Sequence, residues 1–212
     1  MTVPTTFAEL KTAIEEDLAR TDLTAELPNF VNKGEAILNR RLRLLSMETT
    51  SSLTLSSSAS TISLPSAFLE HIGLRYASDN LVPTQVSFND LDDLKTTASG
   101  RPQIYAIGAN IEFNQTADQA YTLTHRYYKA FDIATDTTNT LLTNNPDVYL
   151  YAGLAASVSR TGPHARSGSW TELLTEAISE LQRVDARTRR NSVPRLDTAL
   201  TKSRNFNINR GY

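Results

Sequence analysis

The sequence predicts an α+β protein: an α-helical bundle of about four helices with an inserted small antiparallel β domain and an extended C-terminal tail. Apolar residues recur every three or four positions over about residues 7–45 and again over about residues 146–184, which is typical of amphipathic helices. Between these regions they alternate with polar residues, as in strands, and beyond residue 191 they become sparse. We therefore assign residues 1–46 plus 140–191 to the bundle, 47–139 to the β domain with one short helix, and 192–212 to the tail.

Two amphipathic helices open the bundle. An apolar stripe predicts the first helix at about residues 6–20, and it consists of Phe7, Leu10, Ile14 and Leu18. A second stripe, from Leu27 to Leu45, predicts a helix of about five turns that pairs with the first as a hairpin. Its last turns carry cations that suit the negative end of the helix dipole and are also candidate subunit or partner contacts: Arg40, Arg41 and Arg43.

The apolar period changes from 3.6 to 2 after Met47, which marks the start of the insertion. Alternation predicts short strands around residues 53–55, 62–64, 72–76, 81–86, 104–107, 111–113 and 121–128. Pro65 favours a single helical turn over residues 65–69, because proline suits a first helical position. Ser87 is the expected N-cap of the one short helix, at residues 88–95.

The bundle resumes after a polar loop predicted at residues 135–139. Asn145 and Pro146 supply an N-cap and a first-turn proline, which predicts a helix at about residues 146–159. This helix has almost no polar face, so it is expected either at the centre of one subunit or at an interface between subunits. Tyr149 and Tyr151 are therefore further candidate contacts.

The last helix and the tail differ in character. Ser169 and Glu172 predict a capping box at the start of the helix, and its basic end adds Arg187 and Arg190 to the candidate contacts. The tail is too polar to form a core alone, and its mixture of basic and apolar residues favours docking on a partner that orders it. The candidate docking residues are Arg195, Leu196, Leu200, Arg204, Phe206, Ile208, Arg210 and Tyr212.

The charge distribution leaves two other interpretations of the tail open. The last thirty residues hold eight Lys or Arg against two Asp, or +6, whereas the net charge of the whole chain is -2. The arginines between residues 183 and 195 allow a nucleic-acid-binding module, although the -8 carried by residues 1–182 would repel a polyanion. A solvated terminus without a partner is the remaining alternative.

Sequence motifs give little support to catalysis. The chain lacks cysteine and shows no nucleotide-binding, hydrolase or metalloprotease motif, so we predict a protein that is not an enzyme and has no catalytic residue, cofactor or metal site. His71, His125 and His164 share no ligand spacing and are expected to be structural or surface residues. Neither a signal peptide nor a membrane span is predicted, which favours a soluble protein made without a signal peptide.

Several short motifs in a fixed order carry a family resemblance. They are LNRRLR at 38–43, METT at 47–50, LPSAFLE at 64–70, GRP at 100–102 before YAIG at 105–108, RYYK at 126–129, and LL at 141–142 before PDVYLY at 146–151. With these motifs the sequence resembles the adaptor, or head-to-tail connector, proteins of short-tailed bacteriophages, of the tail tubular protein A type. The similarity spans about residues 5–185.

The resemblance implies a structural virion protein at the head–tail junction. It implies a dodecameric ring that joins the portal protein to a tail tube or nozzle protein, with a C-terminal segment docked on the portal. Double-stranded DNA would pass through the channel without sequence-specific binding, and no membrane would be involved. A nucleic-acid-binding module and, with less support, a virion-associated cell-wall hydrolase remain the alternatives.

Overall fold

A computed structural model describes residues 3–162 and 166–190. The helices are α1 (Phe7–Leu18), α2 (Leu27–Arg41), α3 (Phe88–Asp93), α4 (Ile133–Asp136), α5 (Thr140–Asn144), α6 (Pro146–Thr161) and α7 (Ser167–Arg190). The strands are β1 (Glu48–Leu55), β2 (Thr61–Ser63), β3 (Phe68–Tyr76), β4 (Thr84–Gln85), β5 (Ile104–Ile107), β6 (Asn110–Phe113) and β7 (Tyr121–Lys129). This order confirms the predicted α+β class, while the predicted tail lies outside the described residues.

The four long helices share one apolar core, and α6 lies at its centre, against α1, α2, α5 and α7. The apolar sequence of α6 allowed two positions, the centre of one subunit or an interface between subunits, and the helix takes the first. Gly34 makes the close crossing of α2 and α6 possible, because a Cβ atom there would lie 2.7 Å from the backbone carbonyl carbon of Ala152. Gly153 is similarly constrained, since a Cβ atom would meet the side chain of Ile14 on α1 at 2.5 Å.

The first helix begins as the sequence predicts, whereas the second ends early. Thr6 and Glu9 form a capping box at the start of α1. The prediction that α2 continues to Leu45 is wrong: the helix ends at Arg41, and Leu42 is extended. Arg43 donates hydrogen bonds from Nη1 to the carbonyls of Asn39, at 2.8 Å, and Leu42, at 2.6 Å, which satisfies acceptors at the helix end.

The insertion consists of two small sheets with a second apolar core. One sheet has the order β1-β7-β3 and is antiparallel throughout, with β7 in the middle. The other has the order β2-β6-β5-β4, and its edge pair β4–β5 is parallel while its remaining pairs are antiparallel. The largest fully buried side chains of this core are Leu55, Leu74, Tyr76, Ile111 and Phe113.

Two local predictions within the insertion are wrong. Residues 65–69 form no helical turn, since Ala67 takes a left-handed φ of 57° and β3 begins at Phe68. The polar loop predicted at residues 135–139 is shorter, because α4 extends to Asp136. Its N-cap is Asp132, whose carboxylate accepts a hydrogen bond from the Thr135 amide at 3.2 Å.

Both later helix starts also differ in detail from the prediction. The helix α6 begins with Pro146 as predicted, yet the Asn145 side chain makes no capping hydrogen bond. A capping box at Ser169 and Glu172 is excluded, because α7 begins at Ser167 and Ser169 therefore lies inside its first turn. The helix α7 then continues to Arg190, past the position where its apolar stripe fades.

Candidate interaction surfaces

Two side chains of α2 form hydrogen bonds with the backbone of the segment that follows β7, at Phe131 and Ile133. Asn39 donates from its amide to the Phe131 carbonyl at 3.0 Å and accepts from the Phe131 amide at 2.9 Å. One turn earlier on the same helix face, Glu35 accepts a hydrogen bond from the Ile133 amide at 3.0 Å. The end of β7 is thereby held against the bundle through its backbone. Sequence reasoning missed both residues, because a polar residue in an amphipathic helix is ordinarily exposed.

The Glu35 carboxylate also accepts a hydrogen bond from the central helix, α6. Tyr149 donates from its hydroxyl to Glu35 Oε1 at 2.7 Å and accepts from the Asn139 amide nitrogen at 2.6 Å. Burial raises the pKa of the Glu35 carboxyl above its usual value and also raises the pKa of Tyr149. With 1% of its surface exposed, Tyr149 lies in the interior of the subunit, whereas Tyr151 is half-buried.

A second junction joins the end of α7 to the start of the insertion. Arg189 contacts Glu48 of β1 through Nη1, at 2.8 Å, and Asp185 through Nε, at 2.6 Å. The hydrogen bond to Asp185 is the main cause that raises the pKa of the Arg189 guanidinium. Asp185 also accepts from the Leu45 amide at 2.6 Å, and Glu48 pairs with Arg126 of β7. This network fixes α7 relative to the three-stranded sheet.

The remaining predicted contact residues occupy different environments. Arg40 and Arg41 are exposed at the end of α2, and Arg187 is exposed on α7. Arg43 instead forms an ion pair of 2.5 Å with Glu70 of β3, so its charge is used within the subunit. Arg190 ends α7, but its side chain is outside the described part of the structure, as are all the candidate docking residues from Arg195 to Tyr212.

The two histidines of the insertion form a chain of polar rings with Tyr105, in which His125 and Tyr105 are buried and His71 is half-buried. His71 Nδ1 lies 3.0 Å from His125 Nε2, and His71 Nε2 lies 2.9 Å from the Tyr105 hydroxyl. The second contact links the two sheets. Burial lowers the pKa of both histidines, that of His125 to about 4 with a further contribution from His71. In the described ranges, no group of three or more His, Cys, Asp or Glu side chains is placed to hold a metal ion.

A groove of about 430 Å³ lies at one end of the bundle. Its walls are α5, a short 3₁₀ turn at Leu45–Met47 and the last turns of α7. Leu45 is 41% exposed and Val184 is 52% exposed on these walls. Sequence reasoning missed this groove because both residues continue apolar stripes that were expected to face the core.

In the described residues, the buried and half-buried polar groups join separate elements of the chain to one another. A family model described as SU10 adaptor protein matches residues 5–195, and the chain belongs to that family. The match agrees with the resemblance to phage head–tail adaptors. Comparison with curated proteins finds no significant match. Across residues 3–162 and 166–190, no helix has the length and apolar content needed to cross a membrane.

Proposed function

We propose that this protein is a structural component of the virion, a ring-forming adaptor that joins the portal to the tail at the head–tail junction and lines the passage for DNA. Membership of the adaptor family over residues 5–195 is the observation that carries the proposal. Glu35, Asn39 and Arg189 support it, because each uses its polar groups to hold separate elements in fixed positions.

The subunits form a dodecameric ring in this proposal, and their contacts come from exposed cations. Arg40, Arg41 and Arg187 are exposed, so their guanidinium groups are available to acidic surfaces of a neighbour. Tyr151 contributes the exposed part of its ring. Arg43 and Tyr149 act within the subunit, through Glu70 and Glu35.

The tail extends from the ring to the portal. At about 3.3 Å per extended residue, residues 192–212 reach up to about 70 Å. The docking chemistry is a combination of cations and separated apolar anchors, supplied by Arg195, Leu196, Leu200, Arg204, Phe206, Ile208, Arg210 and Tyr212. The opposite face of the ring meets a tail tube or nozzle protein. Synthesis takes place in the host cytoplasm, before assembly of the virion.

DNA passes through the ring without sequence-specific binding. The charge of -8 over residues 1–182 suits passage better than tight binding, because phosphate neutralisation needs a cationic surface. The arginine-rich end of α7 still favours a nucleic-acid-binding module as a second candidate. That candidate is weakened by Arg189, whose guanidinium is paired with Glu48 and Asp185. Duplex binding that is strong at low salt, and that is lost when residues 192–212 are removed and the exposed Arg183 and Arg187 are replaced, would support it.

Reconstitution with the cognate portal protein tests the proposal. The full chain is expected to form a ring on the portal, visible by electron microscopy and native mass spectrometry, whereas a chain ending at residue 191 is expected to stay folded without binding the portal. Arg40→Glu combined with Arg41→Glu should weaken the ring. Lys33→Glu is the matched control, because Lys33 is an exposed cation earlier on the same helix. Equal portal binding by the full and shortened chains would exclude the proposed role of the tail.

A further inference from the structure

We propose that the outward face of α7 forms a contact between neighbouring subunits of the ring, in which the acidic part of one α7 binds the basic part of the next. The acidic part consists of Glu172, Glu176 and Glu180, and the basic part consists of Arg183 and Arg187. The inference rests on the proposed ring and goes beyond it, because it names the acidic surface of a second copy that receives the exposed cations.

The five charged side chains lie on one face of the helix, and all of them are exposed. The opposite face is buried at Leu174 and Ile178. Each of the three carboxylates is two residues from one of these buried positions, which is about 200° around a helix of 3.6 residues per turn. The two arginines follow the second and third carboxylates by seven residues, or about two turns, so the charged face continues for about 22 Å in all.

The fold of the subunit does not account for the separation of the two signs. Like charges four residues apart, as in the acidic part, destabilise a helix, whereas opposite charges at that spacing stabilise it. The helix dipole favours charges of one sign only in the first and last turns, and Glu180 and Arg183 lie well inside α7. Among residues 3–162 and 166–190, the ion pairs involve none of the five side chains. A partner outside the subunit is therefore needed to use these charges.

The acidic part has a shape that suits arginine side chains. A shallow depression of about 470 Å³ is lined by Glu172 and Glu176 together with the short side chains of Thr171, Thr175 and Ser179. A long guanidinium side chain from a neighbour fits such a depression and forms charge-assisted hydrogen bonds with the carboxylates.

The chain itself supplies the complementary surface, which selects a second copy as the partner. Arg41 adds an exposed cation beside the basic part, since its carbonyl accepts a hydrogen bond from Nε2 of Gln182 on α7 at 3.1 Å. The two parts are different patches of one subunit, so the contact between copies is head-to-tail. Contacts of this type close into a ring when the rotation between subunits allows it.

Charge reversal in full-length chains on the cognate portal tests the inference. Glu172→Arg/Glu176→Arg makes both parts basic, and Arg183→Glu/Arg187→Glu makes both parts acidic. Each variant alone should need at least about tenfold more protein than the wild type to form the ring, because like charges then face each other. An equimolar mixture should form the ring at the wild-type concentration, since the two variants can alternate around it. Electron microscopy detects the ring, and an affinity tag on one variant should recover the other in equal amount.

Matched controls make the same changes of net charge at exposed residues of other elements. They are Glu16→Arg/Asp93→Arg and Lys33→Glu/Arg75→Glu, and both should form the ring as the wild type does. Equal weakening in the controls would attribute the effect to net charge and overturn the inference. Thermal unfolding shows whether each chain is folded. If a double variant does not fold, the single variants Glu176→Arg and Arg183→Glu replace the pair, with the same expected outcomes.

The remaining outcomes separate this inference from the proposed function. A ring from the wild type and from each reversal variant alone, at the same concentration, would overturn the α7 contact and leave the adaptor function standing. A mixture of folded variants that forms no ring would also overturn it, because the two parts would then bind different partners. A complex of two copies in place of the ring would overturn the head-to-tail arrangement. No ring from the wild type would contradict the proposed function, and this inference with it.

Discussion

Tyr149 on the central helix donates a 2.7 Å hydrogen bond to Glu35 on α2. The same carboxylate oxygen accepts the Ile133 amide at 3.0 Å. One buried side chain thus connects α2, α6 and the segment that returns from the β insertion. This connection holds the segment that follows the insertion against the bundle.

Tyr149→Phe should lower the free energy of unfolding by about 1–3 kcal/mol, because it leaves the Glu35 carboxylate and the Asn139 amide without their shared partner. Tyr151→Phe is the matched control on the same helix, since Tyr151 is half-buried and lies outside this network. Urea denaturation of both variants measures the difference. Similar losses in the two would show that the Tyr149 hydroxyl does not stabilise the fold.

Glu35→Gln should change how stability depends on pH. Burial raises the pKa of Glu35 in the folded protein, so the wild type loses stability as the pH rises from the carboxyl's usual value of 4.5 through its folded pKa. The glutamine cannot ionise and keeps an oxygen acceptor for Tyr149 and Ile133. The variant should therefore gain stability relative to the wild type as the pH rises above 4.5. A stability difference that stays constant over this range would contradict the assigned pKa shift.

Gly34→Ala should destabilise the bundle by about 1–3 kcal/mol, because its methyl group would overlap the backbone of Ala152 and Gly153. Gly168→Ala is the control, since a Cβ atom at Gly168 has no neighbour within 4 Å among the described residues, and alanine is the better helix former. Thermal and urea unfolding distinguish the two. A neutral effect at Gly34 would mean that α2 and α6 are further apart than described.

His125→Phe should reduce the loss of folding stability that occurs as the pH falls from 6.5 to about 4. The pKa of His125 falls from 6.5 to about 4 on folding, so the wild type loses up to about 3 kcal/mol as the pH drops through that window. Phenylalanine keeps the stacking with Phe68 and Tyr127, at ring-centroid distances of 5.8 and 5.0 Å, and carries no titrating group. Denaturation at several pH values checks this, and an unchanged slope in the variant would contradict it.

The sequence predicted features that depend on neighbours in the chain. The stripe from Phe7 to Leu18 predicts α1, Pro146 starts α6, and alternation locates β7. What escaped prediction depends on distant partners. The burial of Glu35 depends on Ile133 and Tyr149, and the end of α2 depends on how Arg43 folds back on its carbonyls.

The histidines illustrate the same limit. His71 and His125 are 54 positions apart, and they meet because β3 and β7 are neighbours in the three-stranded sheet. Strand order of this kind is not encoded in the spacing of the two residues. The groove beside Leu45 is likewise formed by segments about 140 residues apart, which explains why neither of its exposed apolar residues was identified in advance.

The central claim is that the chain is a ring-forming adaptor of the head–tail junction. Native mass spectrometry of the full-length protein mixed with its cognate portal ring tests it most directly. We expect a single complex in which a dodecamer of this chain is bound to one portal ring, and loss of that complex when residues 192–212 are removed. A mixture in which the portal ring and the free chain are the sole species, at concentrations where both are folded, would contradict it.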